Sequence, residues 1–321
     1  MTRKLLLSVA ALCASLLLVE WYCQGQPLNR VQRVRRLSNH TLRMIGDVPV
    51  WKSNTPMNER IANTVCLDTA TNGPDVYLVG DSIFYGVKLN PNDTLAPRLQ
   101  KLLTIDLQRE ACVINLSEPG FAFANEEAVL REAVAAHKPR VVVLELWANS
   151  PHRFRVIDGV AYNFGSMDTD EHGLPNPGVP TDMNRWLFTS SALWRHLSTG
   201  LAATTSRSSR EVWLDFVERE LEPLRGWLED NGIALVLAYA TSLQTPFSDG
   251  RPNEDKRYES ARTWAQEHEI AEVVFSEVLA DEDTSAVGID TCCHLNAEGT
   301  RLVSEAIAVP LMQLLQPEAS R

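Results

Sequence analysis

Val76-Tyr77-Leu78-Val79-Gly80-Asp81-Ser82-Ile83 is the stretch on which the reading of this chain turns. Four apolar residues end abruptly in Gly-Asp-Ser, the pattern of a short buried strand that delivers a small hydroxyl side chain to the carboxyl edge of a sheet. In an open α/β sheet that edge is where ligands bind. A serine becomes a nucleophile only where a base takes its proton and donors hold the resulting oxyanion, so the rest of the chain must supply both.

Working outward, apolar segments and helical patterns alternate. Leu95, Leu99, Leu102 and Leu103 share one helical face, Ala111 to Leu116 reads as a strand ending in Ser117-Glu118-Pro119-Gly120, and a helix is predicted from about Asn125 to His137. Val141-Val142-Val143-Leu144 is the most strand-like run, with Asn149 at its polar tip. Further strands are predicted over Ile233 to Ala240 and Val273 to Phe275. Helices are predicted over Met183 to Leu197, Ser209 to Asp230, Glu254 to Glu267 and Ala297 to Leu315, the last with Asn296 as its N-cap. This alternation predicts a parallel sheet with right-handed crossovers, and continuous apolar strands predict that both its faces are covered. Residues 150 to 183 break the rhythm with dense Gly, Pro and Asp, an insertion placed on the carboxyl side of the sheet where a lid or substrate-selecting loop belongs.

The 321 residues, 45% hydrophobic and 22% charged, can bury one large core or two modest ones. A net charge of -11 excludes a nucleic-acid partner, which needs a basic face. Leu5 to Val19 is uncharged, follows Arg3 and Lys4, and continues into Trp21, Tyr22 and Cys23. Its length falls between a signal-peptide core and a spanning helix of about 20 residues. With no small-x-small cleavage pattern after Val19, and with Trp21-Tyr22 suited to a membrane interface, residues 1–23 read as an uncleaved signal-anchor in preference to a cleaved signal peptide. Residues 24–74 read as a juxtamembrane linker. In it Leu28, Val31, Val34 and Leu37, interleaved with Arg30, Arg33, Arg35 and Arg36, form a basic amphipathic helix for anionic lipid, and 38 to 74 are polar and irregular. The bulk of the chain is expected outside the cytoplasm, periplasmic or at the cell surface, or secreted if the segment is cleaved.

Of the six cysteines, Cys13, Cys23, Cys66, Cys112, Cys292 and Cys293, some can pair in such a compartment, with no connectivity set by spacing. Cys292-Cys293 lacks a second Cys/His cluster at metal spacing, which argues against zinc and leaves a stiffening disulfide or burial as small apolar residues.

Polar tips thus follow successive apolar segments: Gly80-Asp81-Ser82, Gly120, Asn149, and Asp290 with His294. In a parallel sheet such tips converge on one edge. In these blocks the chain resembles the SGNH (GDSL-type) hydrolase superfamily, as a membrane-anchored bacterial-type member. The first block is Gly80-Asp81-Ser82-Ile83, with Ile where the name-giving Leu stands. The second is Asn115-Leu116-Ser117-Glu118-Pro119-Gly120, the third Trp147-Ala148-Asn149-Ser150, and the last runs from Asp290 to His294. The likeness covers residues 75 to about 312. It implies a flavodoxin-like three-layer α/β/α sandwich with about five parallel strands, and a catalytic domain at 75–316. It also implies Ser82 as nucleophile, His294 as base, Asp290 as the acid that orients it, and an oxyanion hole of the Ser82 and Gly120 N–H groups and the Asn149 amide. Glycine lets backbone approach closely at 120, and Asn149 is a neutral donor.

Two departures stand out. The family's third block reads Gly-x-Asn-Asp, where this chain has Trp147 and Ser150, and its acid stands three residues before the histidine, where this chain has Thr291. Asp290 is one residue further away and is kept as the acid because a triad is defined by geometry; a distant carboxylate or a Ser-His dyad are the alternatives. The expected activity is that of a serine esterase working through an acyl-serine intermediate on an envelope glycan or lipid ester, without metal or organic cofactor. The alternatives are an O-acyltransferase using the same site and a non-catalytic glycan-binding protein. His152 is placed at the surface in preference to the substrate, Trp147 in the pocket lining or packed beneath the sheet edge, and His40, His137, His172, His196 and His268 at the surface or in packing.

Overall fold

The computed structural model describes residues 2–26, 32–34, 40–46, 48–53, 73–151, 154–157, 160–165, 167, 169–170, 172–204, 208–243, 253–290 and 292–316. They divide into two compact units: residues 36–151 with 208–321, and residues 1–35 with 152–207.

The larger unit is built on five parallel strands, β1 (Val76–Val79), β2 (Val113–Asn115), β3 (Val141–Leu146), β4 (Ala234–Tyr239) and β5 (Ala271–Val274), in the spatial order β2-β1-β3-β4-β5. Val76 pairs with Val113 on one side and Val141 on the other. Because successive strand residues point to opposite faces, Val76, Leu78, Val141 and Val143 enter one core while Tyr77, Val79, Val142 and Leu144 enter another. The first core is covered by the helices Leu95–Leu107 and Ala297–Leu315, and the second by Phe123–Ala136, Ser209–Phe216, Glu222–Asp230 and Asn253–Glu267. This is a flavodoxin-like three-layer α/β/α sandwich. Its strand order reverses between β1 and β3, so the crevice at their carboxyl ends is where a ligand is expected.

Two differences from the sequence reading lie in this unit. The stretch read as irregular linker contains an antiparallel pair, His40–Ile45 with Val48–Ser53, joined through Gly46 and Asp47 in sequence, Asp47 itself lying outside the described residues. A two-residue Gly/Asp turn between β-branched residues was its local signal. The predicted helix Ser209 to Asp230 contains a π-helical turn, Val217–Leu221, that ends two residues before Pro223. Proline has no N–H to donate, and the wider turn absorbs the missing bond.

The smaller unit holds the helix Thr2–Gly25, an antiparallel sheet in the order Gln32–Val34, Val160–Asn163, Phe154–Ile157, and the helices Thr181–Ser190 and Ala192–Thr204. The basic amphipathic helix expected across Leu28 to Leu37 is not formed at Gln32–Val34, which pairs as a strand with Val160–Asn163; the rest of that stretch lies outside the described residues. A partner strand satisfies the backbone there, and helical spacing of four apolar residues does not outweigh it. The predicted helix Met183 to Leu197 is two helices broken at Ser191. The carboxylate of Glu20 accepts the Ser191 hydroxyl (2.8 Å) and the N–H groups of Ala192 (2.6 Å) and Leu193 (3.0 Å), giving the second helix its own N-terminal cap. Tyr162, Phe164, Leu174 and Phe188 form the unit's core.

Among the described residues no helix is long and apolar enough to cross a membrane. Cys13, Cys23, Cys292 and Cys293 are free thiols, and Cys112 is disulfide-bonded.

Candidate active site

The turn that carries Ser82 begins where β1 ends. Asp81 is the N-cap of the short helix Ser82–Tyr85, its Oδ1 accepting the Ile83 N–H at 3.0 Å, and Gly86 closes the turn in the left-handed conformation. From β2, Asn115 donates its amide to the Phe84 carbonyl at 2.7 Å while its own oxygen accepts the Ser117 N–H at 3.0 Å. Ser82 is therefore carried on a turn tied to both neighbouring strands.

His294 stands on a loop folded around Asp290. Gly288 and Leu295 bridge antiparallel, with the Ile289 N–H donating to the His294 carbonyl at 2.8 Å. Inside this closure Asp290 Oδ1 accepts N–H groups from Cys292 (3.1 Å), Cys293 (3.3 Å) and His294 (3.4 Å). The other carboxylate oxygen lies 2.6 Å from His294 Nδ1, and His294 Nε2 lies 2.9 Å from Ser82 Oγ. The extra residue relative to the three-residue spacing is thus taken up in a tight turn; Thr291 itself lies outside the described residues. Burial alone would raise Asp290, but the bond from His294 and the Cys293 N–H outweigh it and hold the carboxyl well below its ordinary range. Asn296 anchors the far end as N-cap of Ala297–Leu315. Lys88, which adopts a positive φ of 65°, places its ammonium 3.6 Å from Asp290 Oδ2. Cys293 is buried, which pushes its thiol up and leaves it a packing group.

Gly120, with φ 81°, follows β2, and the Glu118 N–H donates to the Gly80 carbonyl at 3.4 Å, setting this turn against the end of β1. Asn149 follows β3 in a turn closed by Ser150, whose Oγ accepts the Trp147 N–H at 2.9 Å; Ser150 thus closes the turn where the family has Asp. Trp147 packs against the core. The Asn149 amide donates to Asp81 Oδ2 (3.1 Å) and to the Phe121 carbonyl (2.7 Å), so both its hydrogens are engaged. Among the described residues the N–H groups of Ser82 and Gly120 make no hydrogen bond. His152 lies outside the described residues.

Beneath the turn sits a group of buried carboxyls that the motif reading passed over: Asp81, Glu126 and Glu145. Glu145 Oε2 accepts the N–H groups of Asp81 and Phe84, each at 3.1 Å. A Cβ at position 80 would stand 2.3 Å from that oxygen, so Gly80 is required by the close approach of Glu145. The signal was a charge inside an otherwise apolar strand, Val141–Leu146. Among the described residues no cluster of His, Cys, Asp or Glu is arranged to hold a metal ion.

No protein-family profile and no curated protein sequence matches the chain. Solved structures similar to it include a member of the lipolytic protein G-D-S-L family from Veillonella parvula (14% identity, 72% of this chain and 94% of that one, TM-score 0.43). Others are a psychrotrophic esterase from Pseudoalteromonas (12% identity, 75% and 98%, TM-score 0.45) and a mutant acetyl-xylooligosaccharide esterase from Geobacillus (16% identity, 75% and 95%, TM-score 0.47). At these values the fold assignment rests on the strand order itself.

Proposed function

We propose that the protein is a serine esterase in which Ser82 is the nucleophile, His294 the general base and Asp290 the acid that orients it. The observation that carries this reading is the relay from Asp290 Oδ2 to His294 Nδ1 at 2.6 Å and from His294 Nε2 to Ser82 Oγ at 2.9 Å. A carboxylate only accepts, so Nδ1 carries the proton and Nε2 faces the Ser82 hydroxyl as acceptor. As Oγ bonds to the ester carbonyl carbon, its proton passes to Nε2 and the carbonyl electron pair moves onto oxygen. Collapse of that adduct breaks the ester C–O bond, the departing oxygen takes the proton from His294, and water repeats the sequence on the acyl-serine. The oxyanion is received by the N–H groups of Ser82 and Gly120 and by Asn149, whose amide exchanges one of its two present acceptors for it.

The substrate class fits an acyl ester of an envelope glycan or lipid, met by a chain attached through its N-terminal segment to the outer face of a membrane. Leu17, Leu18, Trp21 and Tyr22 are exposed on the helix Thr2–Gly25, and a disulfide at Cys112 suits an oxidising compartment. Retention in the membrane fraction after carbonate washing, against release as soluble protein, tests the attachment. A fluorophosphonate probe tests the chemistry. Labelling that vanishes in Ser82→Ala is expected, and a folded wild-type chain that takes no label would overturn the reading.

A further inference from the structure

Glu145 occupies the only charged position of β3 and is 1% exposed. We propose that Glu145 is a positioning residue for the nucleophile, holding from beneath the sheet edge the turn that carries Ser82 and, through Asp81, the amide of Asn149; this rests on the esterase reading. Its Oε2 accepts N–H groups from Asp81 and Phe84, at 3.1 Å each, on both sides of Ser82. The buried carboxyl of Asp81 sets a second acid beside it. Two buried carboxyls side by side favour one proton on the pair over two charges.

Glu145 is the partner that keeps it. Burial, then the negative charges of Asp81 and Glu126, push its carboxyl well above the ordinary range, and its Oε1 meets no donor among the described residues. Asp81 is raised by burial too, but it is compensated by the Ile83 N–H, by Asn149 and by the attraction of His294. Glu145 is therefore the member of the pair held neutral beside the Asp81 carboxylate. Asp81 in turn accepts from Asn149 at 3.1 Å and lies 3.3 Å from Ser82 Oγ. Gly80 belongs to the same device, because any side chain there would displace the Glu145 carboxyl.

An ionised Glu145 would set a second buried charge against Asp81, with Glu126 on the helix Phe123–Ala136 adding repulsion, while the attraction of His294 acts on Asp81. The turn then loosens, and the rate of attack by Ser82 falls at alkaline pH in a step separate from the titration of His294.

The test is the pH dependence of Ser82 phosphonylation in the full chain, alongside infrared difference spectra in the region of the protonated carboxyl C=O stretch. Glu145→Leu is expected to slow labelling by about ten- to a hundredfold. Glu145→Gln, which is neutral at every pH and whose amide oxygen still accepts the Asp81 and Phe84 N–H groups, recovers most of that rate and removes the alkaline step. In the spectra, a protonated-carboxyl component present in the wild type at neutral pH is lost in Glu145→Gln and kept in Glu126→Gln. An alkaline step unchanged in Glu145→Gln, or no carboxyl component assignable to Glu145, overturns the proposal; the spectra and the Gln variant decide it even if Glu145→Leu does not fold. Failure of the wild type to react at any pH would instead remove the esterase reading, and the spectra still report on Glu145.

Discussion

The loop that carries His294 and the turn that carries Ser82 each fold backbone N–H groups around a carboxyl, and the two carboxyls have opposite fates. Asp290 lies at the site surface, receives three N–H groups from its own loop and faces an imidazole, so its charge is favoured. Glu145 lies in the core beneath the same sheet edge, receives two N–H groups from a distant strand end, and faces other carboxyls, so its charge is opposed. Similar hydrogen bonds thus favour the charge in one place and are outweighed in the other, because burial and the sign of the neighbours count for more than the number of donors. In the proposed reaction the local loop orients a base that must become cationic. The long-range clamp holds the turn that carries Ser82 without adding charge.

The sharpest way to break this comparison is to remove the group both regions serve. Ser82→Ala should abolish fluorophosphonate labelling and lower ester hydrolysis by about 10⁶-fold, with the circular dichroism unchanged. Next is Asp290→Asn, which keeps the shape of the loop but can favour the wrong imidazole tautomer. Its kcat should fall by about 10⁴-fold, and a drop below about tenfold would mean that His294 works as a dyad with Ser82. On the other side of the comparison, Gly80→Ala forces a methyl against Glu145. It should lower stability by about 1–3 kcal/mol in urea unfolding and slow labelling as well.

The two carboxyls should also show opposite slopes of stability against pH. Asp290 is depressed in the folded state, so its contribution is present above about pH 4 and is lost as pH falls through its folded value; Asp290→Asn should erase that acid-side loss, about 1 kcal/mol in thermal or urea unfolding. Glu145 is raised, so its contribution is present below about pH 4 and is lost as pH rises; Glu145→Gln should gain on the wild type toward alkaline pH. The smallest effect expected is that of Lys88→Ala. Its ammonium is 3.6 Å from Asp290 Oδ2 on a side chain 60% exposed, where solvent screens the pair, and kcat/KM should change by less than about threefold.

Much of the site was legible because its parts are local. Gly80-Asp81-Ser82, Gly120, Asn149 and Asp290 to His294 are short polar tips on apolar runs, and five such runs separated by helical patterns already specify a parallel sheet. Asn296 was readable as a cap for the same reason. Glu145 was not, because its role depends on what lies above it across the sheet, and strand periodicity records only that a charge sits in an apolar run. The break at Ser191 was hidden in the same way, since the group that caps the second helix, Glu20, is far away in the chain.

From the sequence alone came the order of strands and helices, the serine at the first strand end and the histidine near the last, since hydrophobic period and turn chemistry are properties of neighbouring residues. Tertiary structure decided that one extra residue still brings Asp290 within 2.6 Å of His294, that Asn149 is engaged by Asp81 and Phe121, and that Glu145 underlies the nucleophile. Those facts depend on distances between segments far apart in the chain, and only the packed sheet brings such segments together.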